Sequence, residues 1–287
     1  MFGVKKVTGT LTARSPVYHG GNEKSGSVCL LNTLKFIVNG RIEEIPIISG
    51  NAIRGYLRRL IMADFLNQVG YAINVSTKGG LMLYHSLFTG GVLETVSAEE
   101  SGIIDLELKS RLISLIPSVR LFGLCYGNQM IEGKLKVGMA YPVCRELKPV
   151  LPESFDPQCS YHDLITYTHQ TRRDDLRAER GEGEQAVQML VEYQVFAPGT
   201  TFYHEFMVED PDDVDISCLA RCIELWKQKP FIGGKSSAGF GELNISYDLN
   251  ETSEKYLEFL NNNREAIVSL LRELEMRGNK AKNRGSG

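Results

Sequence analysis

The chain has 287 residues, of which 43% are hydrophobic and 23% are charged, and its net charge at pH 7 is −3. This composition is that of a globular protein with one large domain or two small ones. It excludes nucleic-acid binding through a general basic excess, so any such site must depend on a local set of basic groups. No apolar run approaches the length of a membrane span, and no membrane partner is expected.

The cysteines and histidines indicate no metal chemistry. The six cysteines are scattered and form no CxxC pair, and the five histidines have no metal-ligand spacing, so neither a metal nor another cofactor is expected. Cys218 and Cys222 lie four residues apart among apolar positions of a predicted helix, which is typical of core thiols. Because the sequence has no signal peptide, the expected compartment is a reducing cytoplasm.

The first sixty residues predict two strands and a helix. Alternation from Val4 to Ala13 predicts a half-buried strand, and Arg14 to Gly26 is predicted to be a polar loop. A second alternating stretch, 34–38, ends at the hairpin signal Asn39-Gly40. The helix follows, with Ser49 as its expected N-cap.

Two arginines lie close to the start of this helix. Its buried face has the spacing i, i+3, i+4, i+7, i+8 and consists of Ile53, Tyr56, Leu57, Leu60 and Ile61. Arg54 and Arg58 lie on one row, near the free N–H groups of the first turn. This combination can bind an anion such as phosphate, although on its own it is more typical of a solvated basic face.

The middle of the chain is less regular. Within 70–133, glycine pairs bracket Leu81 to Thr89, and Lys109 to Ile116 is predicted to form a short helix that ends at Pro117. Alternation from Lys134 to Val143 then predicts a third strand. Residues 145–186 hold few large apolar side chains, and their arginines and threonines are typical of a solvated loop.

The last hundred residues return to regular patterns. The predicted elements are strands Val187 to Phe196 and Thr201 to Val208 joined as a hairpin by Ala197-Pro198-Gly199, a helix from Asp213 to Gln228, a strand from Glu242 to Tyr247, and a helix from Glu251 to Arg277 that ends at Gly278. With the insertions set aside, the order is strand, helix, strand, strand, helix, strand. This order predicts an α+β fold of the ferredoxin-like type, which is a common support for RNA but proves no function.

A glycine-rich stretch lies between Phe231 and Leu243, with four glycines, two serines and Lys235. Such a loop lets another backbone come close, and its N–H groups can turn toward phosphate oxygens. An ATP-type P-loop is excluded, because Pro230 stands where that motif needs a glycine. An ordinary glycine-rich turn between a helix and a strand is the alternative interpretation.

Several stretches together resemble the RAMP superfamily of CRISPR–Cas proteins. They are the first strand with Gly20-Gly21, the stretch Ile45-Pro46 to Gly55, the triplet Leu121-Phe122-Gly123, and the loop Gly233 to Gly241. The chain looks most like the backbone subunit of multi-subunit effector complexes. Two further stretches resemble the type IV backbone protein in particular: Tyr84-His85 to Gly90-Gly91 and Thr171 to Asp175.

The resemblance implies a single RAMP domain over residues 1–277. Its expected parts are an RRM-like palm (1–69, 134–144 and 187–250), a finger-like insertion (70–133), a thumb-like insertion (145–186), a C-terminal helix (251–277) and a disordered tail (278–287). It also implies a function. Such subunits stack head to tail along CRISPR RNA, and the thumb displaces bases so that the guide pairs with its target nucleic acid in segments. Copies of itself and other effector subunits are the implied partners.

The resemblance also assigns candidate RNA contacts in the palm and the thumb. The expected RNA-binding residues are Arg14, Lys24, Ser49, Asn51, Arg54, Arg58, Arg172, Arg173, Gly233, Gly234, Lys235, Ser236 and Ser237.

The same comparison predicts that the chain does not cleave RNA. RNA-cleaving type III relatives carry an aspartate in the loop after the first strand. The comparable region here has Glu23 and no aspartate, and Asn32 lies near the expected place. No catalytic residue is therefore assigned. The alternatives are a backbone subunit that also cuts target RNA, which needs a carboxylate near residue 32, and a stand-alone ribonuclease of the superfamily that processes the repeat, which favours a monomer with a histidine-centred site. His19 near this loop could act as a base, but a lone loop histidine is more often structural.

Overall fold

The computed structural model describes residues 3–25, 28–91, 105–127, 129–173 and 188–280, without the side chains of 22–24, 171–173, 188–190 and 280. The strands are β1 Val4–Ala13, β2 Gly20–Ser25, β3 Val28–Leu31, β4 Thr33–Val38, β5 Arg41–Pro46, β6 Leu124–Tyr126, β7 Gln129–Ile131, β8 Leu135–Val137, β9 Tyr141–Pro142, β10 Ile165–Arg173, β11 Gln188–Phe196, β12 Thr201–Glu209 and β13 Leu243–Tyr247. The helices are α1 Gly50–Val69, α2 Lys78–Thr89, α3 Leu106–Leu115, α4 Pro117–Phe122, α5 Asp213–Gln228, α6 Glu254–Asn262 and α7 Arg264–Lys280. None of these helices is both long and apolar enough to cross a membrane.

The first sheet is antiparallel, with strand order β13-β1-β12-β8, and β9 also pairs with β12. Because α1 follows β1 and α5 precedes β13, the connectivity is the ferredoxin-like plan. The α+β prediction is therefore confirmed. In the centre of the sheet, Leu11 lies between Phe202 and Ile245 on the neighbouring strands.

Helices α1 and α5 cover one face of this sheet and form the main core with it. The alternation of β1 predicts this arrangement, since Val7 and Leu11 are fully buried while Lys6 and Thr8 lie on the other face. The largest fully buried side chains of this core are Trp226, Tyr256, Phe65, Phe122, Phe196, Phe202 and Phe206. Cys218 and Cys222 are buried here as free thiols, as predicted.

A second sheet has strand order β10-β11-β3-β2, and it corrects two predictions. Part of the predicted loop 14–26 is strand β2. The predicted hairpin between 187–196 and 201–208 is wrong, because β11 pairs with β10 and β3 whereas β12 pairs within the first sheet. At the crossing, Pro198 has no N–H, and Ala197 and Gly199 donate to Leu164 O and Ala13 O. The turn therefore carries the chain from one sheet to the other.

The region 145–164 is not the solvated loop that its composition predicts. Two 3₁₀ helices, Arg145–Val150 and Tyr161–Leu164, lie here. Leu147 and Leu151 are buried in a small separate core with Ile45, Cys144 and Tyr203. The single strand predicted over 134–143 is instead two short strands, β8 and β9, which both pair with β12.

Helices α2 and α7 pack closely, which explains two further differences from the sequence predictions. A side chain on Gly79 would lie 1.9 Å from Glu275 O, and one on Gly278 would lie 2.6 Å from Gly79 Cα. Gly278 therefore serves helix packing and does not end the helix, so 278–280 are helical and 281–287 lie outside the described residues. The predicted helix 251–277 is two helices, α6 and α7. Pro117 begins α4 at its first position, where a missing N–H costs nothing.

Candidate nucleic-acid interface

A cavity of about 710 Å³ runs along the outer side of α1, and we call it the α1 groove. Four segments line it: the start of β2 with the residues before it, the first turns of α1, the end of α2, and the glycine-rich loop. The lining residues are Tyr18, His19, Gly20, Gly21, Asn51, Ala52, Arg54, Gly55, Tyr56, Arg58, Arg59, Tyr84, Phe88, Thr89, Ile232, Gly233 and Gly234.

The start of α1 is held in place by a side-chain cap and by a close approach to β8. Ser49 Oγ accepts the N–H of Ala52 at 3.3 Å, so the predicted N-cap is confirmed. The N–H of Ser49 itself donates to Nε2 of His19 at 3.2 Å. A side chain on Gly50 would lie 2.4 Å from the carbonyl oxygens of Val137 and Gly138, which explains the glycine at the first position of α1.

The glycine-rich loop lets a backbone come close, as its sequence predicts, and the approaching backbone is the chain's own. Gly234 donates to Tyr18 O and Gly241 donates to Pro16 O, each at 2.8 Å. Gly233 has a φ of 81°, and a side chain there would lie 2.3 Å from Tyr18 O. These contacts bring the loop and the segment before β2 together as one wall of the groove.

Arg54 and Arg58 both reach into the protein from this groove. Arg54 donates to Phe122 O at 2.6 Å and to Leu135 O, and Arg58 donates to Gly123 O at 2.8 Å and to Phe122 O. Arg58 is only 7% exposed, so the interpretation of this row as a solvated face is wrong. Burial first, and then the neighbouring Arg54 charge, lower the pKa of Arg58 to about 10, which still leaves it charged at neutral pH.

Arg59, which the sequence analysis did not select, is the exposed guanidinium of the groove. Within the described part of the chain it makes no hydrogen bond and no ion pair. Its guanidinium lies against Gly55, one turn earlier, with Arg59 Nη1 3.6 Å from the position of a Gly55 Cβ. Helical periodicity places Arg59 off the row that Arg54 and Arg58 share, but it does not show which of the two adjacent arginines faces solvent.

Lys235 lies on the glycine-rich loop but is engaged by the second sheet. Its Nζ donates to Gln170 Oε1 at 2.9 Å and lies 4.2 Å from the centre of the Tyr193 ring. Lys235 also has a φ of 65°, which is uncommon for a residue other than glycine. The lysine therefore connects the loop to β10 and β11.

The other predicted contacts are distributed differently. Ser236 and Ser237 are exposed in a 3₁₀ turn after Lys235, and Asn51 is exposed in the groove itself. Arg14 lies outside the groove and forms an exposed ion pair with Glu242 at 3.4 Å. The side chains of Lys24, Arg172 and Arg173 lie outside the described residues.

His19 is the one histidine among the described residues of the groove. Burial lowers its pKa, and because Nε2 accepts the Ser49 N–H, the proton of the neutral ring must be on Nδ1. Asn32 lies beside it, with its N–H donating to His19 O at 2.8 Å. No cluster of three or more metal-binding side chains occurs in the described ranges.

A scan against models of protein families finds no match, and a search of curated proteins finds none either. The fold is similar to that of a chain in a solved structure described as a "Type IV-B CRISPR Complex". The two share a TM-score of 0.62 at 17% sequence identity, over 86% of this chain and 91% of that chain. The likeness therefore establishes a common fold that extends well beyond the ferredoxin-like sheet.

Proposed function

We propose that this chain is the noncatalytic backbone subunit of a CRISPR effector complex of type IV. In this proposal, copies of the chain polymerise head to tail along guide RNA and present it in segments for pairing with a target. The main support for this proposal is the α1 groove. It combines a helix start, three arginines and exposed loop backbone in a chain that shares its fold with a chain of a type IV-B CRISPR complex.

The electrostatics of the groove favour a polyanionic strand, although the chain as a whole is acidic. Arg54 and Arg58 remain charged while they bind carbonyl oxygens, so they supply a positive field without being free to move. Arg59 has no partner in the described residues and supplies the direct contact. This division of roles predicts that Arg59 is the principal phosphate ligand and that the two buried arginines support it.

The glycine-rich loop supplies a second kind of contact. In the described structure, the N–H groups of Gly233, Lys235, Ser236 and Ser237 donate to no backbone carbonyl, and most of this loop is exposed. Backbone donors of this kind bind phosphate irrespective of base sequence. A subunit that must accept any guide sequence needs contacts of this kind.

Assembly along the RNA is assigned to the thumb-like region, residues 145–186. In the proposal, this region reaches the next copy and its Arg172 and Arg173 contact RNA, while Lys24 contacts RNA from β2. Lys235 would then couple the RNA-binding loop to the base of the thumb, since it binds Gln170 on β10 and lies against Tyr193 on β11.

The chemistry of the groove supports a noncatalytic role. Cleavage through a neighbouring 2′-hydroxyl needs a group that accepts its proton. Nε2 of His19 is occupied by the Ser49 N–H and Nδ1 carries a proton, so the ring has no free acceptor in this state. Asn32, beside it, cannot accept a proton near neutral pH. We expect labelled complementary RNA to stay intact on the assembled complex with magnesium present, whereas regular cuts that vanish in His19→Ala would contradict this part of the proposal.

The first test of the function is the state of the purified protein. We expect it to elute as a large particle with a 260/280 absorbance ratio typical of a ribonucleoprotein, and nuclease treatment should reduce both its size and the ratio. A nucleic-acid-free monomer that does not change when guide RNA is added would contradict the proposal.

A further inference from the structure

Two aromatic rings stand in the α1 groove and take no part in the backbone contacts described above. Tyr84 and Phe88 lie one turn apart on α2, with ring centres 4.6 Å apart and an angle of 22° between their planes. Phe88 covers one side of Tyr84, and Tyr84 remains 38% exposed. A stacked pair with an exposed outer ring, in a groove that Arg59 also lines, combines the two kinds of group that bind an unpaired nucleotide.

The helix that carries the pair is rigidly attached. Thr77 caps its start by accepting the N–H of Gly80 at 3.0 Å, and Gly79 donates to Asn279 Oδ1 of α7 at 2.8 Å. At its other end, Gly90 O accepts the N–H of Cys125 at 2.7 Å. The rings are therefore held in place before any ligand arrives, which lowers the entropy cost of binding.

The groove is long enough for more than one nucleotide. The residues of α1 that line it run from Asn51 to Arg59. These two positions are eight residues apart, which is roughly 12 Å along a helix. A stacked strand advances about 3.4 Å per nucleotide, so phosphates can lie along α1 while a base reaches α2.

We infer that the Tyr84–Phe88 pair is a stacking surface for one unpaired nucleobase of the strand that lies in the α1 groove. The inference rests on the proposed function, and it adds a contact to a base where that function needs only contacts to the backbone. Stacking on an aromatic ring accepts every base, and purines, which have the larger rings, should bind best. The surface thus orders one base without reading the sequence.

The test uses a short single-stranded RNA of uridines that carries one 2-aminopurine, whose fluorescence falls when it stacks. We expect quenching on binding to the wild-type protein. Tyr84→Ala should remove the quenching and weaken binding about tenfold, which is at the lower end of the range for loss of one stacked base. Tyr84→Phe should retain both. Leu81→Ala is the matched control, because Leu81 is a large exposed apolar residue of the same helix that does not line the groove.

The outcomes separate this inference from the proposed function. If Tyr84→Ala binds and quenches like the wild type, the stacking surface is wrong while RNA binding stands. If Tyr84→Ala keeps its RNA affinity but alters the mass of the RNA-free protein, the pair serves a protein contact and the inference is equally wrong. A wild-type chain that binds no RNA would contradict the proposed function itself. Thermal unfolding of each variant shows whether it is folded.

Discussion

The two sheets of this protein differ in what holds them together. In the first sheet, β1 and β12 bury a continuous row of apolar side chains beneath α1 and α5, including Val7 and Phe206. The second sheet has a small buried apolar cluster of its own, which consists of Tyr193, Val195 and Phe240, with Tyr18, Cys29 and Val191 packed against it. At their ends, β3 and β11 each add one residue, Leu31 and Phe196, to the main core. The contacts of Lys235 with Gln170 and Tyr193 also tie the second sheet to the rest of the chain.

The difference indicates a division of labour. Burial of apolar surface is the main favourable term in folding, so the first sheet sets the stability of the domain. Apart from Leu31 and Phe196, the second sheet has only a small buried cluster, and it lies beside the glycine-rich loop. Regions with few buried contacts open at low free-energy cost. We therefore expect the second sheet to be the part that adjusts when RNA or a neighbouring copy binds. The predictions below test this contrast, beginning with the largest effect.

The largest expected effect is a loss of stability at low pH caused by His204 in the first sheet. His204 of β12 is fully buried between Tyr247 Oη and Gly138 O, and burial lowers its pKa from 6.5 to about 4. Above pH 6.5 the His204 ring is neutral in both the folded and the unfolded chain, so it does not change the free energy of unfolding. As the pH falls from 6.5 to about 4, the unfolded chain takes up a proton that the folded chain resists, and stability falls by about 3 kcal/mol in all.

Melting temperatures between pH 7 and pH 4.5 measure this effect. In His204→Gln the acid-side loss should shrink, because an amide can keep the hydrogen bonds but cannot take up the proton. His169 of β10 is 56% exposed and serves as the matched control, so His169→Gln should leave the loss unchanged. Equal pH profiles for the wild type and His204→Gln would show that other groups cause the acid instability.

The second prediction compares two fully buried valines, one in each sheet. Val7→Ala should lower the free energy of unfolding by about 2–3 kcal/mol, because the surrounding core cannot collapse onto the cavity. Val195→Ala should cost about 1 kcal/mol, since its small cluster can relax. Urea unfolding measures both values. Equal losses for the two valines would mean that the sheets form one cooperative unit of equal strength.

The third prediction applies the same contrast to two neighbouring residues of α1. Arg58→Ala should destabilise the protein by about 2 kcal/mol, because it removes the side-chain donor to Gly123 O and leaves Phe122 O with Arg54 alone as its side-chain donor. Arg59→Ala should leave thermal unfolding unchanged and weaken RNA binding equally for unrelated sequences. The slope of log K against log salt should fall by about one unit. An unchanged slope would identify Arg59 as a solvated surface charge.

The smallest effect is expected at Lys235. Lys235→Ala removes the contacts with Gln170 and Tyr193 and should cost about 1 kcal/mol. Lys235→Gly removes the same contacts and also relieves the positive φ, so part of the loss should be recovered. Hydrogen exchange should become faster in β10 and β11 in both variants and stay unchanged in β1 and β12. Faster exchange throughout the chain would contradict a local role.

Sequence patterns predict the first sheet well and the second poorly, for a physical reason. One face of β1 is buried and the other is not, so its alternation is visible in the sequence. Strands β2 and β10 carry mostly polar residues, and their pairing depends on partners distant in the chain. The turn at Pro198 has every local sign of a hairpin, yet tertiary contacts place its two strands in different sheets.

The groove was predictable in its backbone and less so in its side chains. The glycines at 50, 233 and 234 and the cap at Ser49 follow from local rules, because close approaches and helix starts restrict the residue type. Which arginine faces solvent depends on the carbonyls at the end of α4, which only the fold brings to α1. The position of Tyr84 in the groove likewise depends on how α2 packs, and no local pattern in the sequence indicates it.

Assembly of copies of this chain on RNA through the α1 groove is the central proposal. The most direct measurement is the mass of the particle, by light scattering, on a series of single-stranded RNAs of increasing length. We predict that the mass rises in steps of one 32.1 kDa chain per fixed increment of RNA, and that the steps persist with unrelated sequences. A mass that corresponds to one chain at every RNA length, or to free protein at all of them, would contradict the claim.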